Sequence, residues 1–536
     1  MNFKMHNIKF DIIIPIIITI ILCYINLGNR YLWMDESEVA VIGKNITEFA
    51  YPQVWDGKHL VTNINGNDFD ENLILVRYPA VQYYVAAAGY LLGNSTFFIR
   101  FWFVVLGIIS AYLLYKLTNQ LTKNKNIALL TLWIYSLSIA VVLLIRSARY
   151  YAPSLFFIIL TYYLYLLYIE TNKKKYLALF TLSSILLFHS FHVFFIITMA
   201  TIVSAFIIFD RSKINYKGFI ISLISIIPFT LPFYLHYYSL LLNTGSSSEG
   251  FQGFTHSFSQ LMGYIWYIQA FIFPFISLLL IFGIVSFLEK KKVREKKQII
   301  NKRILWFLTA PILLNILLVS SLSSYYGYRF LIASIPSCFI LCSYVIFLIS
   351  FKDRVIAGIV TILLISTNIL HVIPYEFVGL LNTNNKTIEQ FVKAPVHPFK
   401  NINLEDYIKH EKKYTSYIVD YVYEISHNFN CTAKIISEYL NKHAKPNDKI
   451  LIADWLTDTI YFYTGCAATN NLTPISNKDF KDHFTPDLAE LYSTFYNAER
   501  YSHLTNYPLS KIDWIIVVPE DNEYMKNLIR NNGLED

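Results

Sequence analysis

The chain has 536 residues, of which 55% are hydrophobic, 17% aromatic and only 15% charged, and its formal net charge is +8. In a soluble domain about a quarter of all residues are usually charged, so this composition excludes an ordinary soluble protein. The positive charge does not indicate nucleic-acid binding, because the lysines cluster in short segments between long apolar runs. Those runs are continuous rather than alternating, which predicts membrane-spanning helices, since lipid offers no hydrogen-bond partner to the backbone.

The lengths of the apolar runs predict an α-helical polytopic membrane protein with about 11 transmembrane helices. The first run follows Lys4 and Lys9, and no small-residue cleavage site follows it. We therefore interpret it as an uncleaved signal anchor rather than a cleaved signal peptide. The predicted spans are 12–28, 98–118, 127–145, 153–170, 176–190, 191–209, 218–235, 265–288, 304–322, 330–350 and 355–373.

The distribution of basic residues predicts the orientation of these spans. Lys and Arg concentrate in alternate loops, all on the side of the N-terminus, whereas the loop 236–264 on the other side contains neither. Since basic loops stay in the cytoplasm, we expect an integral protein of the cell membrane with a cytoplasmic N-terminus and an extracytoplasmic C-terminal segment. The basic loops are 123–125, 173–175, 211–217, 290–303 and 352–354.

Composition also predicts the domain organisation. Residues 1–373 form a transmembrane domain, in which 29–97 are an extracytoplasmic loop with an acidic motif and interfacial or re-entrant helices between Tyr78 and Gly93. Residues 374–536 are polar and charged, and they are predicted to form a soluble extracytoplasmic α/β domain because helix-like and strand-like segments alternate there. These segments are the helix 432–443, the strands 449–454 and 513–518, and the helix 523–531.

Within the predicted membrane domain, residues 1–373, arginine rather than lysine supplies most of the positive charge on the outer side. Because the guanidinium fork donates two hydrogen bonds to a phosphate, this favours a phosphate-bearing ligand. The alternative is that each arginine reaches for lipid headgroups from the end of a span. Arg146, Arg149 and Tyr150 stand at i, i+3 and i+4, so they share one face if this segment is helical. The outer arginines are Arg30, Arg77, Arg100, Arg146, Arg149 and Arg329.

An acidic motif, Trp33-Met34-Asp35-Glu36-Ser37-Glu38, follows the first predicted span. Its carboxylates can deprotonate an acceptor or orient a divalent cation while arginines hold a leaving phosphate. The alternative is a solvated helix start that Asp35 or Ser37 caps. Elsewhere, His189 and His192 stand at i and i+3 near an outer span end, where packed interface histidines are favoured over a metal pair.

Four segments of the chain resemble sequence motifs of one known family, and they occur in the same order as in that family. Trp33-Met34-Asp35-Glu36 is similar to a "DE" motif that follows a first span, and Arg146-Ser147-Ala148-Arg149-Tyr150-Tyr151 is similar to an "ARxY" segment. Arg77-Tyr78-Pro79-Ala80-Val81-Gln82-Tyr83-Tyr84, with Leu92-Gly93 and Ile99-Arg100-Phe101, is similar to "H-P-P-L-Y-Y … F-G … R", but Arg77-Tyr78-Pro79-Ala80 replaces the usual His-Pro-Pro. Tyr328-Arg329-Phe330-Leu331 with Pro336 is similar to "RY-L-x-P". The family that these motifs resemble is the protein O-mannosyltransferase and aminoarabinose transferase (PMT-like) family of GT-C glycosyltransferases.

This resemblance implies a GT-C-like fold and an inverting glycosyltransferase. The donor would be a monosaccharide on polyprenyl or dolichyl phosphate, and the acceptor an extracytoplasmic protein, glycan or lipid. Asp35 is the expected base, with Glu36 positioning the acceptor or a cation. Metal dependence stays open, because acids near a phosphate suit a bare carboxylate as well as Mg²⁺ or Mn²⁺. The residues expected to bind the donor phosphate are Arg77, Arg146, Arg149 and Arg329, with Tyr78, Arg100, Tyr150 and Tyr328 as further candidates.

Two other functions share this composition. A transporter or flippase for lipid-linked saccharides would favour paired repeats and polar residues at mid-membrane, and the sequence shows neither. A saccharide polymerase or ligase would place its main reactive loop late in the chain, whereas the acidic motif follows the first span. The glycosyltransferase hypothesis predicts that Asp35, Arg77 and Arg329 line one outer cavity.

Overall fold

The protein is described by a computed structural model, and it divides into two compact units. The first unit comprises Met1–Ile25, Phe103–Pro232 and Ser246–His427, and the second comprises Asn26–Trp102, Phe233–Gly245 and Asn428–Asp536. The acidic motif therefore belongs to the same unit as the end of the chain. The predicted boundary between residues 373 and 374 stays a prediction, because 375–414 lie outside the described residues. The described residues are 8–61, 69–76, 78–212, 216–244, 254–288, 301–322, 327–374, 415–427, 431–452, 456–469 and 511–516.

Helices dominate the described residues, and local sequence signals begin several of them. The side chains of Asn124 and Asp353 each accept hydrogen bonds from two backbone N–H groups of the helix that follows. A π-helical turn follows α9 at Phe206–Asp210 and α11 at Ile268–Ile272, and a 3₁₀ helix, Tyr328–Ser334, precedes α14. The α-helices are α1 (Ile8–Tyr24), α2 (Met34–Phe49), α3 (Val81–Tyr90), α4 (Thr96–Thr122), α5 (Lys125–Leu137), α6 (Ile139–Arg146), α7 (Tyr151–Thr171), α8 (Lys174–Phe188), α9 (His192–Ala205), α10 (Tyr216–Thr244), α11 (Phe254–Tyr267), α12 (Phe275–Leu288), α13 (Lys302–Leu322), α14 (Ile335–Lys352), α15 (Arg354–Ser366), α16 (Tyr417–Ser426), α17 (Thr432–His443) and α18 (Thr457–Thr464).

Six helices of the described residues are long and apolar enough to cross a membrane. Two bent pairs, α5 with α6 and Gln260–Ile272 with α12, raise the number to eight if each pair is one span. Phe10–Tyr24 and α15 are apolar but shorter. The α-helical polytopic membrane protein is thus confirmed, whereas the count of eleven spans stays a prediction. The six helices are Thr96–Thr122, Tyr151–Thr171, His192–Asp210, Tyr216–Leu235, Lys302–Ser321 and Tyr328–Lys352.

Both bends lie inside runs that the sequence predicted as continuous spans. The α5–α6 pair bends by 61° at Ser138, whose backbone is extended. The other pair bends by 72° before Pro274, which has no N–H to continue the helix and favours the extended backbone of Phe273. The side chain of Gln269 accepts a hydrogen bond from the N–H of Ile276 at 3.0 Å across this break.

The first unit buries a charged cluster as well as apolar side chains. Asp210 is fully buried and accepts hydrogen bonds from Tyr165 Oη and from Arg303 Nε, each at 3.0 Å. These partners offset the cost of removing the carboxylate from water, which would otherwise be several kcal/mol. The cluster links α7 and α13 to the end of the segment His192–Asp210.

Among its described residues, the second unit contains a three-stranded parallel sheet in the order β2-β1-β3. Its strands are β1 (Lys449–Ile452), β2 (Ala467–Thr469) and β3 (Trp514–Ile516). The helix predicted at 432–443 is confirmed as α17, and the two predicted strands contain β1 and β3. The helix predicted at 523–531 lies outside the described residues, so the α/β domain as a whole stays a prediction. A small core contains Leu440, Ile450, Ile452, Ile460, Cys466 and Ala468.

The acidic motif begins α2, which packs closely against α3. A Cβ added at Gly43 would lie 2.8 Å from Ala86 Cβ, so the two helices approach where α2 has no side chain. The alternative interpretation of the motif, in which Asp35 or Ser37 caps this helix, is wrong. The N-cap is Trp33, with extended backbone, and Ser37 lies inside the first turn, where its Oγ donates to the Trp33 carbonyl at 3.2 Å.

Candidate active site

Of the three acidic residues in the motif, Asp35 is the one whose side chain reaches the protein surface. It lies at the second position of α2 and is half-buried, whereas Glu36 is 1% exposed and Glu38 is 6% exposed. Glu38 accepts a hydrogen bond from Tyr83 Oη at 2.9 Å, which joins α2 to α3. The N-terminal turn of a helix favours a negative side chain, because its N–H dipoles point towards it. Of the motif's three carboxylates, Asp35 is therefore the one placed to meet a ligand.

Glu36 forms a buried ion pair with Arg100. Both carboxylate oxygens accept from the guanidinium, Oε1 from Nε at 2.9 Å and Oε2 from Nη2 at 2.5 Å. Arg100 also donates to the backbone carbonyls of Leu27 and Arg30 at 3.0 Å and of Tyr31 at 3.3 Å. A bidentate pair of this kind fixes geometry as well as charge. The Arg100 guanidinium thus holds the segment before the motif and the first turn of α2 together.

Arg146 binds the C-terminal end of α1. Its Nη1 donates to the carbonyls of Leu22 at 3.2 Å, Cys23 at 2.9 Å and Ile25 at 2.8 Å. The last carbonyls of a helix have no partner within the helix, so a guanidinium there satisfies them and complements the helix dipole. The Tyr421 hydroxyl donates to the same Leu22 carbonyl at 2.7 Å, and the Arg146 guanidinium lies over the Tyr421 ring. These contacts give Arg146 a structural role.

Arg149 and Arg329 are linked through two adjacent tyrosines. The buried Arg149 guanidinium lies 5.8 Å from the Tyr150 ring centroid, and the Tyr150 and Tyr151 rings are in edge contact at 4.7 Å. Arg329 Nη1 donates to Tyr151 Oη at 3.4 Å from the 3₁₀ helix before α14. The neighbouring Tyr328 is half-buried. The first unit therefore brings two of the predicted phosphate-binding arginines into one cationic and aromatic cluster.

The other predicted site residues are less informative. Arg77 lies outside the described residues, so the common cavity predicted for Asp35, Arg77 and Arg329 stays a prediction; Tyr78 is half-buried. His189 Nε2 donates to the carbonyl of Phe229 at 2.9 Å, a packing contact. In the described part of the chain, no three or more His, Cys, Asp or Glu side chains are grouped so that they could hold a metal ion.

A polar cluster in the second unit was not predicted from the sequence. Asp56 accepts from the Tyr461 hydroxyl and, at 3.3 Å, from Lys44 Nζ, while His59 Nε2 lies 2.8 Å from Asp458 Oδ1. Burial raises the pKa of Asp56, but hydrogen bonds from Tyr461 and from backbone N–H groups, with the Lys44 charge, outweigh it and hold the pKa below its usual value. Burial and the hydrogen bond to Asp56 raise the pKa of Tyr461 to about 12. No local signal reveals this cluster, because Asp56 and Tyr461 are 405 residues apart.

Part of the chain matches a known family model. Residues 77–235 match the family model described as dolichyl-phosphate-mannose-protein mannosyltransferase. This stretch contains Tyr78, Arg100, Arg146, Arg149 and Tyr150. An uncharacterized protein of Aquifex aeolicus (strain VF5) is 33% identical over 171 residues, and the match covers 31% of this chain and 30% of that protein.

Structural comparison identifies the fold over most of the chain. ArnT from Cupriavidus metallidurans in the apo state has a TM-score of 0.58 at 9% identity, covering 94% of this chain and 90% of that one. The same protein bound to undecaprenyl phosphate has a TM-score of 0.55 at 10% identity, covering 90% of this chain and 89% of that one. At these identities the likeness establishes a shared fold. The fold and family resemblance predicted from the sequence motifs is confirmed.

Proposed function

We propose that this chain, which resembles the PMT-like family of GT-C membrane glycosyltransferases, is an inverting glycosyltransferase. In this proposal it moves a monosaccharide from a polyprenyl- or dolichyl-phosphate donor to an extracytoplasmic acceptor, which is a protein, a glycan or a lipid. The observation that carries the proposal is the match of residues 77–235 to the mannosyltransferase family model. The undecaprenyl phosphate bound to the ArnT of similar fold supports a donor with a polyprenyl phosphate group.

The phosphate of the donor would be stabilised by arginine. As the bond between the anomeric carbon and the phosphate oxygen breaks, the phosphate keeps the electron pair and needs charge neutralisation rather than a strong acid. Arg149 and Arg329 are the proposed phosphate ligands, because their guanidinium groups belong to one cluster with Tyr150 and Tyr151. Arg77 stays a proposed phosphate ligand on its sequence motif alone.

Asp35 is the proposed base that takes the proton of the incoming hydroxyl or amine. Inversion requires the acceptor to attack from the face of the sugar opposite to the phosphate, as in inverting glycosidases. For Glu36 the contacts favour a different role from the one expected, because the ion pair with Arg100 occupies both of its oxygens. We assign Glu36 and Arg100 to positioning the turn that carries Asp35. A divalent cation at Asp35 stays compatible with this chemistry.

A transfer assay with a matched control tests the proposal. Purified protein is supplied with labelled polyprenyl-phosphate sugars, and the wild type is compared with Asp35→Asn and Glu48→Gln. Glu48 is an exposed acid near the other end of the same helix. General-base catalysis contributes about 10²–10⁴-fold, so Asp35→Asn should lose transfer by about that factor and keep donor binding, while Glu48→Gln behaves as wild type.

Two outcomes would contradict the proposal. If no polyprenyl-phosphate sugar supports transfer by the wild type, the donor class is wrong. If Asp35→Asn transfers as fast as Glu48→Gln, Asp35 is not the base. Movement of the lipid-linked sugar across a bilayer without transfer would instead support the flippase alternative.

A further inference from the structure

We infer that α18, near the end of the chain, is a functional part of the catalytic centre because it fixes the turn that carries Asp35. Tyr463 and Thr459 are the positioning residues in this inference. It rests on the proposed function, in which Asp35 is the base. It also gives the C-terminal region a role in the transfer step itself.

Tyr463 holds the backbone immediately before the acidic helix. Its hydroxyl accepts a hydrogen bond from the N–H of Leu32 at 2.8 Å and lies 2.7 Å from Thr96 Oγ1, to which it can donate. Its ring packs against the Tyr31 ring at 3.9 Å between centroids. Leu32 directly precedes Trp33, the N-cap of α2, so Tyr463 sets the direction in which the chain enters the helix.

Thr459 holds the other side of the same turn. Its Oγ1 lies 2.8 Å from Ser37 Oγ, and both side chains are fully buried. Thr459 and Tyr463 stand at i and i+4 and therefore lie on one face of α18. Since Ser37 follows Asp35 by two residues and Leu32 precedes it by three, α18 contacts the turn on both sides of Asp35.

The consequence of these contacts is the placement of a carboxylate. Side-chain positions at a reacting centre must be held within about 0.5 Å, and a shift of about 1 Å can cost 100-fold in rate. Burial raises the pKa of Tyr463 to about 12, so its hydroxyl stays protonated at working pH and acts as a fixed hydrogen-bonding group. The Glu36–Arg100 pair fixes the same turn from the side of α4.

A purely structural docking of α18 is the competing explanation, and the helix itself provides the control. Tyr461, two residues before Tyr463, donates to Asp56 and accepts from Lys44 Nζ at 3.2 Å. Lys44 lies nine residues beyond Asp35, about 13.5 Å along α2. Tyr461→Phe therefore removes the same group from the same helix, but at a distance from the Asp35 turn.

The test uses the full-length protein in lipid nanodiscs with a labelled polyprenyl-phosphate sugar. Tyr463→Phe and Thr459→Val should each lower kcat about tenfold or more, with the KM for the donor unchanged, because the turn shifts while the phosphate ligands stay. Thr459→Ser keeps the hydroxyl and should restore the rate. Tyr461→Phe should keep kcat within about twofold of wild type even where it lowers the unfolding temperature as much as Tyr463→Phe.

Amide hydrogen exchange of the peptide covering Leu32–Ser37 gives a readout that does not require activity. It should become faster in Tyr463→Phe than in Tyr461→Phe. Wild-type kcat in Tyr463→Phe and Thr459→Val would overturn the inference, as would equal losses of kcat in Tyr461→Phe and Tyr463→Phe. The proposed function fails separately, if wild type shows no transfer or if Asp35→Asn retains it.

Discussion

The buried pair of Glu36 and Arg100 makes a quantitative prediction about stability. Glu36 and Arg100 have side chains that are 1% and 9% exposed, and the guanidinium also binds three backbone carbonyls. Removing one partner of a buried ion pair leaves the other charge buried without compensation, which costs about 3–5 kcal/mol. Arg100→Met should therefore lower the free energy of unfolding by about that amount.

An exposed ion pair of the same chain provides the control. Lys123 and Glu170 form a pair whose side chains are 63% and 41% exposed, so Lys123→Met should cost only about 0–1 kcal/mol. The assay is denaturant unfolding of the purified protein in detergent, followed by tryptophan fluorescence. In the double variant Glu36→Gln/Arg100→Met, no unpaired charge stays buried. Its loss of unfolding free energy should therefore be smaller than the sum of the losses in the two single variants. If Arg100→Met cost no more than Lys123→Met, the assignment of a buried positioning pair would be refuted.

Three further substitutions test other parts of the structure by the same unfolding assay. Arg146→Leu should cost at least about 1.5 kcal/mol, because it removes charged hydrogen bonds to the end of α1, and Arg146→Lys should recover part of the loss. Gly89→Ala should lower the free energy of unfolding by about 1–3 kcal/mol, because the added Cβ would lie 2.3 Å from the Phe98 carbonyl oxygen. In the control Gly283→Ala the added Cβ meets no neighbouring atom within 4 Å, so the free energy of unfolding should stay within about 0.5 kcal/mol of wild type. Asp56 has a pKa below its usual value, so its contribution to the free energy of unfolding is complete above its unfolded pKa of about 3.9. That contribution is lost as the pH falls through the lower folded pKa. Asp56→Asn should therefore remove this loss of stability below about pH 4.

Local sequence patterns were enough to predict several elements of the fold. The helix Thr432–His443 and the strand that follows it were predicted at the observed positions. The signal was an amphipathic run, followed by a turn at Lys445-Pro446-Asn447-Asp448 and then by an apolar run. The break before Pro274 had a signal in the proline, but the length of the apolar run led to a single predicted span. The break at Ser138 has no comparable signal, since serine is tolerated inside membrane helices.

The roles of individual charged residues could not be predicted in this way. Arg146 was expected to bind phosphate because arginine on the outer face suits an anion, and this stays a prediction. Its hydrogen bonds to carbonyls more than 120 residues away in sequence had no local signal. The motif shows Asp35 and Glu36 as equivalent neighbours, and only the packing of α4 against the segment before α2 distinguishes them. The same limit applies to Tyr463, whose contact with Leu32 joins positions 431 residues apart.

The central claim is that the acidic turn and the arginine-bearing segment after α6 both face the non-cytoplasmic side, where a lipid-linked sugar can reach them. Cysteine labelling with a membrane-impermeant maleimide in sealed cells tests this most directly, with Arg30→Cys and Ser147→Cys reporting on the two segments and Lys173→Cys on the opposite side, all in a Cys431→Ser background. We expect Arg30→Cys and Ser147→Cys to react in intact cells and Lys173→Cys to react only after permeabilisation. Protection of Arg30→Cys together with labelling of Lys173→Cys in intact cells would place Asp35 in the cytoplasm and contradict the account.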